Sequence, residues 1–218
     1  MNTIVSSCIM AGLLGLTGCD SRHTAPEQAA VPVSAPVTLP PSGLPAQVEQ
    51  VVRERGQTIV AQAGGLLGSN LLAAIQAKGI TNALAYCSVQ ALPLAEIVAT
   101  NHQVALRRVS HRARNTRDQA DAFEAEVLRR FQAALAPNRP PAPILTSHRA
   151  DTVTFFAPIV INNPLCLQCH GQPGTDILPE NLAFIRSLYP QDAATGFKLG
   201  DLRGAWRVDF PRAALSGK

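Results

Sequence analysis

The pentapeptide CLQCH at residues 166–170 constrains this 218-residue chain more than any other feature. Two cysteines three positions apart, with a histidine directly after the second, can attach haem, hold zinc or exchange disulfides. Haem attachment needs this arrangement, because two thiols add to the two vinyl groups and the adjacent histidine then lies under the iron. We therefore predict one covalently bound haem c, with Cys166 and Cys169 as its attachment points and His170 as an iron ligand.

Zinc binding and disulfide exchange are the two alternatives for this motif. A structural zinc site takes four ligands, usually as two separated pairs, and the motif supplies one pair. A thioredoxin-like dithiol is expected between a strand and a helix in a βαβ setting, whereas this motif lies in a segment rich in proline and glycine. The surroundings of the motif thus favour haem over both.

The N-terminus predicts export of the chain. Residues 4–16 form an uncharged apolar run that is too short to span a bilayer as a helix, and LTGC follows at residues 16–19. This ending resembles a bacterial lipobox, so residues 1–18 are predicted to be a lipoprotein signal peptide and Cys19 to carry lipid. Asp20 resembles an inner-membrane retention signal of Gram-negative lipoproteins. We expect the protein on the periplasmic side of the inner membrane, with ordinary secretion as the alternative.

Composition divides the mature chain into a tether and one domain. Residues 19–46 are rich in proline and contain no aromatic residue, which predicts a semi-extended tether. Residues 47–218 show helical periodicity first and strand-like runs later, which predicts an α+β fold. Helices are predicted at 47–63, 70–78, 83–92, 118–135 and 181–188, with stops at Gly64-Gly65 and Gly79 and a break or kink at Pro93. Strands are predicted at 104–109, 144–147, 152–161, 197–199 and 205–210.

The second axial ligand of the iron is the open question. The two methionines, Met1 and Met10, both lie in the predicted signal peptide, which excludes a mature cytochrome with His/Met ligation. Cys87 shares a helix face with apolar residues and is the one cysteine left unassigned in the mature chain. A buried structural thiol is its alternative role. The candidates are His23, His102, His111, His148, Cys87, a lysine, or no protein ligand.

Four segments occur in order along residues 47–212: ALAYCSVQALPLAEI, RRVSHRARNTRDQADAFEAEVL, CLQCHG and LYPQDAATGFKLGDLRGAWRV. Together they resemble a family of exported single-haem proteins with a PAS-like fold, first described in cyanobacteria. The resemblance implies a PAS-like domain over residues 47–218 and an axial pair of His170 and Cys87. The chain departs from the family pattern at residues 115–117, where a proline commonly follows the asparagine.

A thiolate ligand favours oxidised iron, so we expect a low reduction potential. Guanidinium groups suit the two carboxylates of a haem, and Arg112, Arg114 and Arg203 are the candidate contacts. We predict a lipid-anchored cytochrome that exchanges single electrons with a partner protein. The alternative is a haem-based redox or gas sensor that signals through a partner.

Other functions and partners are disfavoured by the sequence. An enzymatic role would need an open iron site, so no catalytic residue is predicted. Lys and Arg number 19 and Asp and Glu 15, an excess too small and too scattered for a nucleic-acid binder. The expected partners are a redox protein and the membrane, and a homodimer is left open.

Overall fold

The computed structural model describes residues 38–136 and 139–215. The predicted signal peptide, the predicted lipidation site Cys19 and the candidate ligand His23 lie outside the described residues. Within them, four antiparallel strands form one sheet in the order β1-β4-β3-β2. These strands are β1 (Ala105–Val109), β2 (Ile144–Arg149), β3 (Thr152–Val160) and β4 (Leu202–Pro211). A long helical segment comes first, and the later helices lie in the connections of one antiparallel sheet, so the predicted α+β class is confirmed.

The N-terminal helical segment, α1 (Ala46–His102), is a hairpin of two arms. Its backbone leaves helical geometry at Lys78 and at Gly79, where φ is +77°. The hydroxyl of Tyr86 donates to Asn70 Oδ1 at 3.0 Å across the two arms, so the arms run antiparallel to each other. The helix stop predicted at Gly79 is therefore confirmed, and the chain reverses its direction there.

The stop predicted at Gly64-Gly65 is wrong, and the helix is not broken at Pro93, because helical backbone continues through both positions. A glycine costs a helix about 1 kcal/mol and a proline about 3 kcal/mol, and tertiary packing can exceed both. Ala63 is buried beside the glycines, and Ala91 and Val98 are buried on either side of Pro93. Burial of these flanking turns therefore overrides the local preference.

The sheet is covered on both faces. Phe155 and Phe156 are consecutive in β3 and point to opposite sides, as the pleat requires. Phe155 packs with Val52 and Ile59 of α1 in one cluster, and Phe156 packs with Val127 of the second helix in another. That second helix, α2 (Ala122–Ala134), begins with a capping box formed by Asp121 and Glu124. The domain is therefore a sheet between two helical layers.

Residues 161–201 connect β3 to β4 and contain the pentapeptide. They form a short helix α3 (Leu167–His170) and a longer helix α4 (Pro179–Leu188). The strand predicted at residues 197–199 is not formed, because the backbone around it hydrogen-bonds within the β3–β4 connection and not to a neighbouring strand. The Phe197 N–H donates to the His170 carbonyl at 2.9 Å, and the Gly200 N–H donates to the Ile161 carbonyl at 2.8 Å.

The end of the predicted tether contacts the domain. Ser42 is buried, and its hydroxyl donates to Glu49 Oε2 of α1 at 2.8 Å. The hydroxyl of Thr146 in β2 donates to the Pro40 carbonyl at 2.5 Å. The chain is thus fixed on the folded domain before α1 begins.

Candidate functional site

The pentapeptide forms a single helical turn. The Asn163 side chain accepts a hydrogen bond from the Leu165 N–H at 2.9 Å and starts a 3-10 turn, which leads directly into α3. Cys166 and Cys169 are three residues apart in this turn, so their side chains project from the same side of it. Both thiols are free and partly buried.

The imidazole of His170 has a fixed tautomer. Its Nδ1 lies 2.8 Å from the carbonyl oxygen of Ala194. A carbonyl oxygen can only accept, so Nδ1 carries the proton and Nε2 keeps a free lone pair. Burial, with the positive charges of Arg203 and Arg114, holds the pKa of His170 well below its usual range. The ring is therefore neutral, which is the form that binds metals.

Cys87 lies on the second arm of α1 and is partly buried, close enough to Cys169 to act on it electrostatically. Leu84, one turn earlier, packs in a cluster that includes Cys169. Burial raises the pKa of the Cys87 thiol, against the lowering effect of Arg108 and Arg114. Burial also raises the pKa of Cys169 to about 11, and the neighbouring Cys87 and Cys166 add to this effect. The fold thus brings Cys87 to the pentapeptide.

Arg114 holds the site together by a buried ion pair. Its Nε lies 3.1 Å from Asp192 Oδ1, and the two side chains are 12% and 4% exposed. Its Nη2 also donates to the Cys169 carbonyl at 2.6 Å. Arg114 therefore links its own segment to the pentapeptide and to the segment that contains Asp192.

Arg112 and Arg203 lie on the aromatic ring of Phe197. Their guanidinium carbons are 4.0 Å and 5.4 Å from the ring centroid. The same ring stands edge-on to His170, at 6.3 Å between centroids. Neither arginine pairs with a carboxylate among residues 38–136 and 139–215. Two guanidinium groups without a directly paired carboxylate in the described part of the chain therefore lie on the Phe197 ring, which itself stands beside the imidazole.

Of these two side chains, Arg203 is the one with a buried N–H group that lacks a hydrogen-bond acceptor in the described part of the chain. Its Nη1 donates to Ser110 Oγ at 3.0 Å and to the Arg112 carbonyl at 3.1 Å. Its Nε is buried and has no hydrogen-bond partner in the described part of the chain. Burial and the charges of Arg114 and Arg108 lower the pKa of Arg203 to about 10. A buried donor without a partner costs about 1–3 kcal/mol, so this position suits an anionic ligand.

The other histidine candidates have different surroundings. His102 Nε2 lies 2.7 Å from Gln62 Oε1 between the two arms of α1. His148, on β2, stacks on Phe123 with ring centroids 3.9 Å apart. His111 is exposed in the segment after β1.

Sequence analysis did not identify Asp192 and Ala194 as site residues. Ala194 acts through its backbone carbonyl, which leaves no side-chain signal. Asp192 pairs with Arg114 across a separation that no local pattern reveals. The available signal was the segment at residues 188–208, which contains both and carried the family resemblance.

Comparison with known proteins supports this resemblance. A family model described as Tll0287-like matches residues 45–211. A solved structure, that of the cyanobacterial heme-protein Tll0287, is similar at a TM-score of 0.52 with 23% sequence identity. The similarity covers 78% of this chain and 97% of that one, and it shows a common fold. No match was found among curated proteins. Because the family model covers most of the chain, including α1, the pentapeptide and the sheet, the protein belongs to the Tll0287-like family.

Proposed function

We propose that this protein is a c-type cytochrome that binds one haem and transfers single electrons. The observation that carries the proposal is the 2.8 Å hydrogen bond from His170 Nδ1 to Ala194. It leaves the free Nε2 lone pair of a neutral imidazole on the side of the ring away from Ala194, next in sequence to the helical turn that contains Cys166 and Cys169. The similarity to a solved heme-protein of the same fold supports the choice of haem.

The charges around the site fit a haem. A haem bears two carboxylates, and Arg112 and Arg203, which have no directly paired carboxylate among the described residues, lie on the Phe197 ring that stands edge-on to His170. The unsatisfied Nε of Arg203 would gain an acceptor from one of them. When bound, haem supplies a one-electron couple at its iron, and the side chains around it set the potential of that couple.

Cys87 is the proposed second axial ligand. Burial raises the pKa of its thiol, so its deprotonation depends on the positive charge of a bound metal. A thiolate donates electron density and favours the oxidised state, which predicts a low potential. With both axial positions taken by protein ligands, we propose no enzymatic step.

A spectroscopic comparison tests the ligand set. The full chain is purified from a host that attaches haem c, together with C166A, C169A, C87A and S88A. One thioether bond is enough to hold haem on a denaturing gel, so we expect haem staining to weaken in C166A and C169A and to disappear in C166A/C169A. We expect a low-spin, thiolate-type ferric spectrum that C87A abolishes and the matched S88A variant keeps. An unchanged spectrum in C87A contradicts the assignment of Cys87.

Gas or redox sensing is the second candidate function. The raised pKa of Cys87 supports it, because a thiol that protonates readily after reduction would open the axial position. Carbon monoxide added to the reduced protein distinguishes the two functions. Rapid binding by wild type favours sensing, whereas binding by C87A alone favours electron transfer.

We further propose that Cys19 carries a lipid anchor on the periplasmic side of the inner membrane. The support is the LTGC ending of an apolar N-terminal run. Fractionation of a Gram-negative host should recover the wild type with the inner membrane and C19S in the soluble periplasm. C8S, within the same apolar run, is the control and should behave as wild type. Equal membrane recovery of C19S and wild type contradicts the anchor.

A further inference from the structure

The carbonyl oxygen of Ala194 accepts two hydrogen bonds. One comes from His170 Nδ1 at 2.8 Å, and the other comes from Arg114 Nη2 at 3.3 Å. Both donors draw on the electron density of one oxygen, and the arginine is cationic. A carbonyl polarised by a neighbouring cation is a weaker acceptor for the imidazole N–H.

The two side chains of the buried ion pair hydrogen-bond to the two ends of Ala194: Asp192 accepts from its N–H, and Arg114 donates to its carbonyl. Asp192 Oδ1 accepts from the Ala194 N–H at 3.0 Å and lies 3.1 Å from Arg114 Nε. Arg114 in turn donates to the carbonyl of Cys169, the residue before His170. Because both side chains are nearly excluded from solvent, their charges act on the site with little screening.

We propose that Arg114 and Asp192 are positioning residues that set the reduction potential through the bond between His170 and Ala194. The inference rests on the proposed binding of haem with His170 as an iron ligand. A histidine that donates strongly through its second nitrogen becomes a more basic ligand and favours oxidised iron. Arg114 weakens that donation and adds a positive charge nearby, so both of its effects raise the potential.

Asp192 acts in the opposite direction. Its carboxylate cancels the charge of Arg114 and therefore lowers the potential. An asparagine in its place keeps an oxygen for the Ala194 N–H but removes the negative charge. The two single substitutions should thus shift the potential in opposite directions, whereas a merely structural role would move both the same way.

Redox titration of the haem-loaded proteins tests the proposal. R114Q should favour the oxidised state by about tenfold, which is a fall of about 59 mV for a one-electron couple. D192N should favour the reduced state. The double variant R114Q/D192N restores charge balance and should retain a smaller fall, which measures the hydrogen-bond contribution. R186Q removes an exposed arginine of α4 and is the control, with a shift well below tenfold.

Magnetic resonance gives a second readout. Both R114Q and R114Q/D192N remove the hydrogen bond from Arg114 to the Ala194 carbonyl. The hyperfine-shifted ring signals of His170 should therefore move in these two variants and stay in place in R186Q. Equal potentials in wild type, R114Q and D192N, or shifts of the same sign in both, overturn the inference. If R114Q fails to load haem, the sign of the D192N shift decides. A wild type without covalent haem would instead contradict the proposed function itself.

Discussion

Glu124 is a carboxylate with no exposed surface, held between two strands and a helix start. It accepts from Arg107 Nη2 at 2.5 Å and from Arg207 Nη1 at 2.7 Å. In E124Q, Arg207 would keep Asp209 as an ion-pair partner at 3.0 Å and Arg107 is 37% exposed, so the loss is that of hydrogen bonds to a buried charged group. We expect E124Q to lower the free energy of unfolding by about 1.5–3 kcal/mol, measured in urea. E180Q, at an exposed position in the first turn of α4, should change it little, and equal losses would contradict the role of Glu124.

The pH dependence of stability has a separate origin at Glu126. Hydrogen bonds from Arg129 and Arg130 lower its pKa to about 2, from 4.5. A carboxyl with a lowered folded-state pKa contributes stability above pH 4.5 and loses it as the pH falls toward 2. The two arginine side chains are 60% and 42% exposed, so solvent screening keeps the effect small.

The variant E126Q tests whether the Glu126 carboxylate stabilises the fold at neutral pH and stops doing so in acid. Its urea midpoint should lie slightly below that of wild type at pH 7 and coincide with it near pH 2. A difference of the same size at both pH values would show that Glu126 acts through packing and not through its charge.

At the residue scale, sequence could predict the parts of the site that spacing controls. Cys166, Cys169 and His170 are close in the chain, so one helical turn must bring them together. Arg114 could be predicted as a cation near the site, but its partner could not. Asp192 reaches it only because the β3–β4 connection folds back across the segment after β1, which is a property of the tertiary structure.

At the scale of elements, the helical hairpin shows where local rules hold. Gly79 ends the first arm because its backbone adopts φ of +77°, a conformation that glycine reaches at low cost. Gly64 has helical geometry and Pro93 is exposed, so the packing of the flanking turns decides there. The strand predicted at residues 197–199 is absent for a related reason, since the Phe197 N–H donates to the His170 carbonyl and the Lys198 N–H donates to Asp201 Oδ2, not to a neighbouring strand.

A pair of glycine substitutions tests this difference. G79A forces a side chain into a backbone conformation, φ +77° with ψ −172°, that is essentially restricted to glycine, and it should lower the free energy of unfolding by about 1–3 kcal/mol. G64A meets no atom within 4 Å in helical geometry and should raise it by about 0.5–1 kcal/mol. Urea unfolding of the two proteins measures both values. A loss in G64A equal to that in G79A would contradict the continuous first arm.

At the scale of the whole molecule, the hydrophobic core is unevenly distributed. In the described part of the chain, the two clusters on the sheet contain 11 and 8 buried residues. The two clusters at the site contain 3 each, Leu84 with Ile177 and Ile185, and Ile161 with Ala194 and Phe197. Segments with little buried apolar surface open locally at lower free energy than the rest. We therefore expect the backbone of residues 162–200 to open locally more often when the proposed haem is not bound.

Hydrogen exchange of the haem-free variant C166A/C169A and of the loaded wild type tests this dependence. A ligand that binds the closed form alone lowers the population of the open form. We expect exchange at residues 162–200 and around Cys87 to slow on loading, because these segments line the proposed site. Exchange at β3 and β4 should change much less, since the sheet core is complete without the ligand. Uniform slowing over the whole domain would instead show that the sheet and the site unfold together as one cooperative unit.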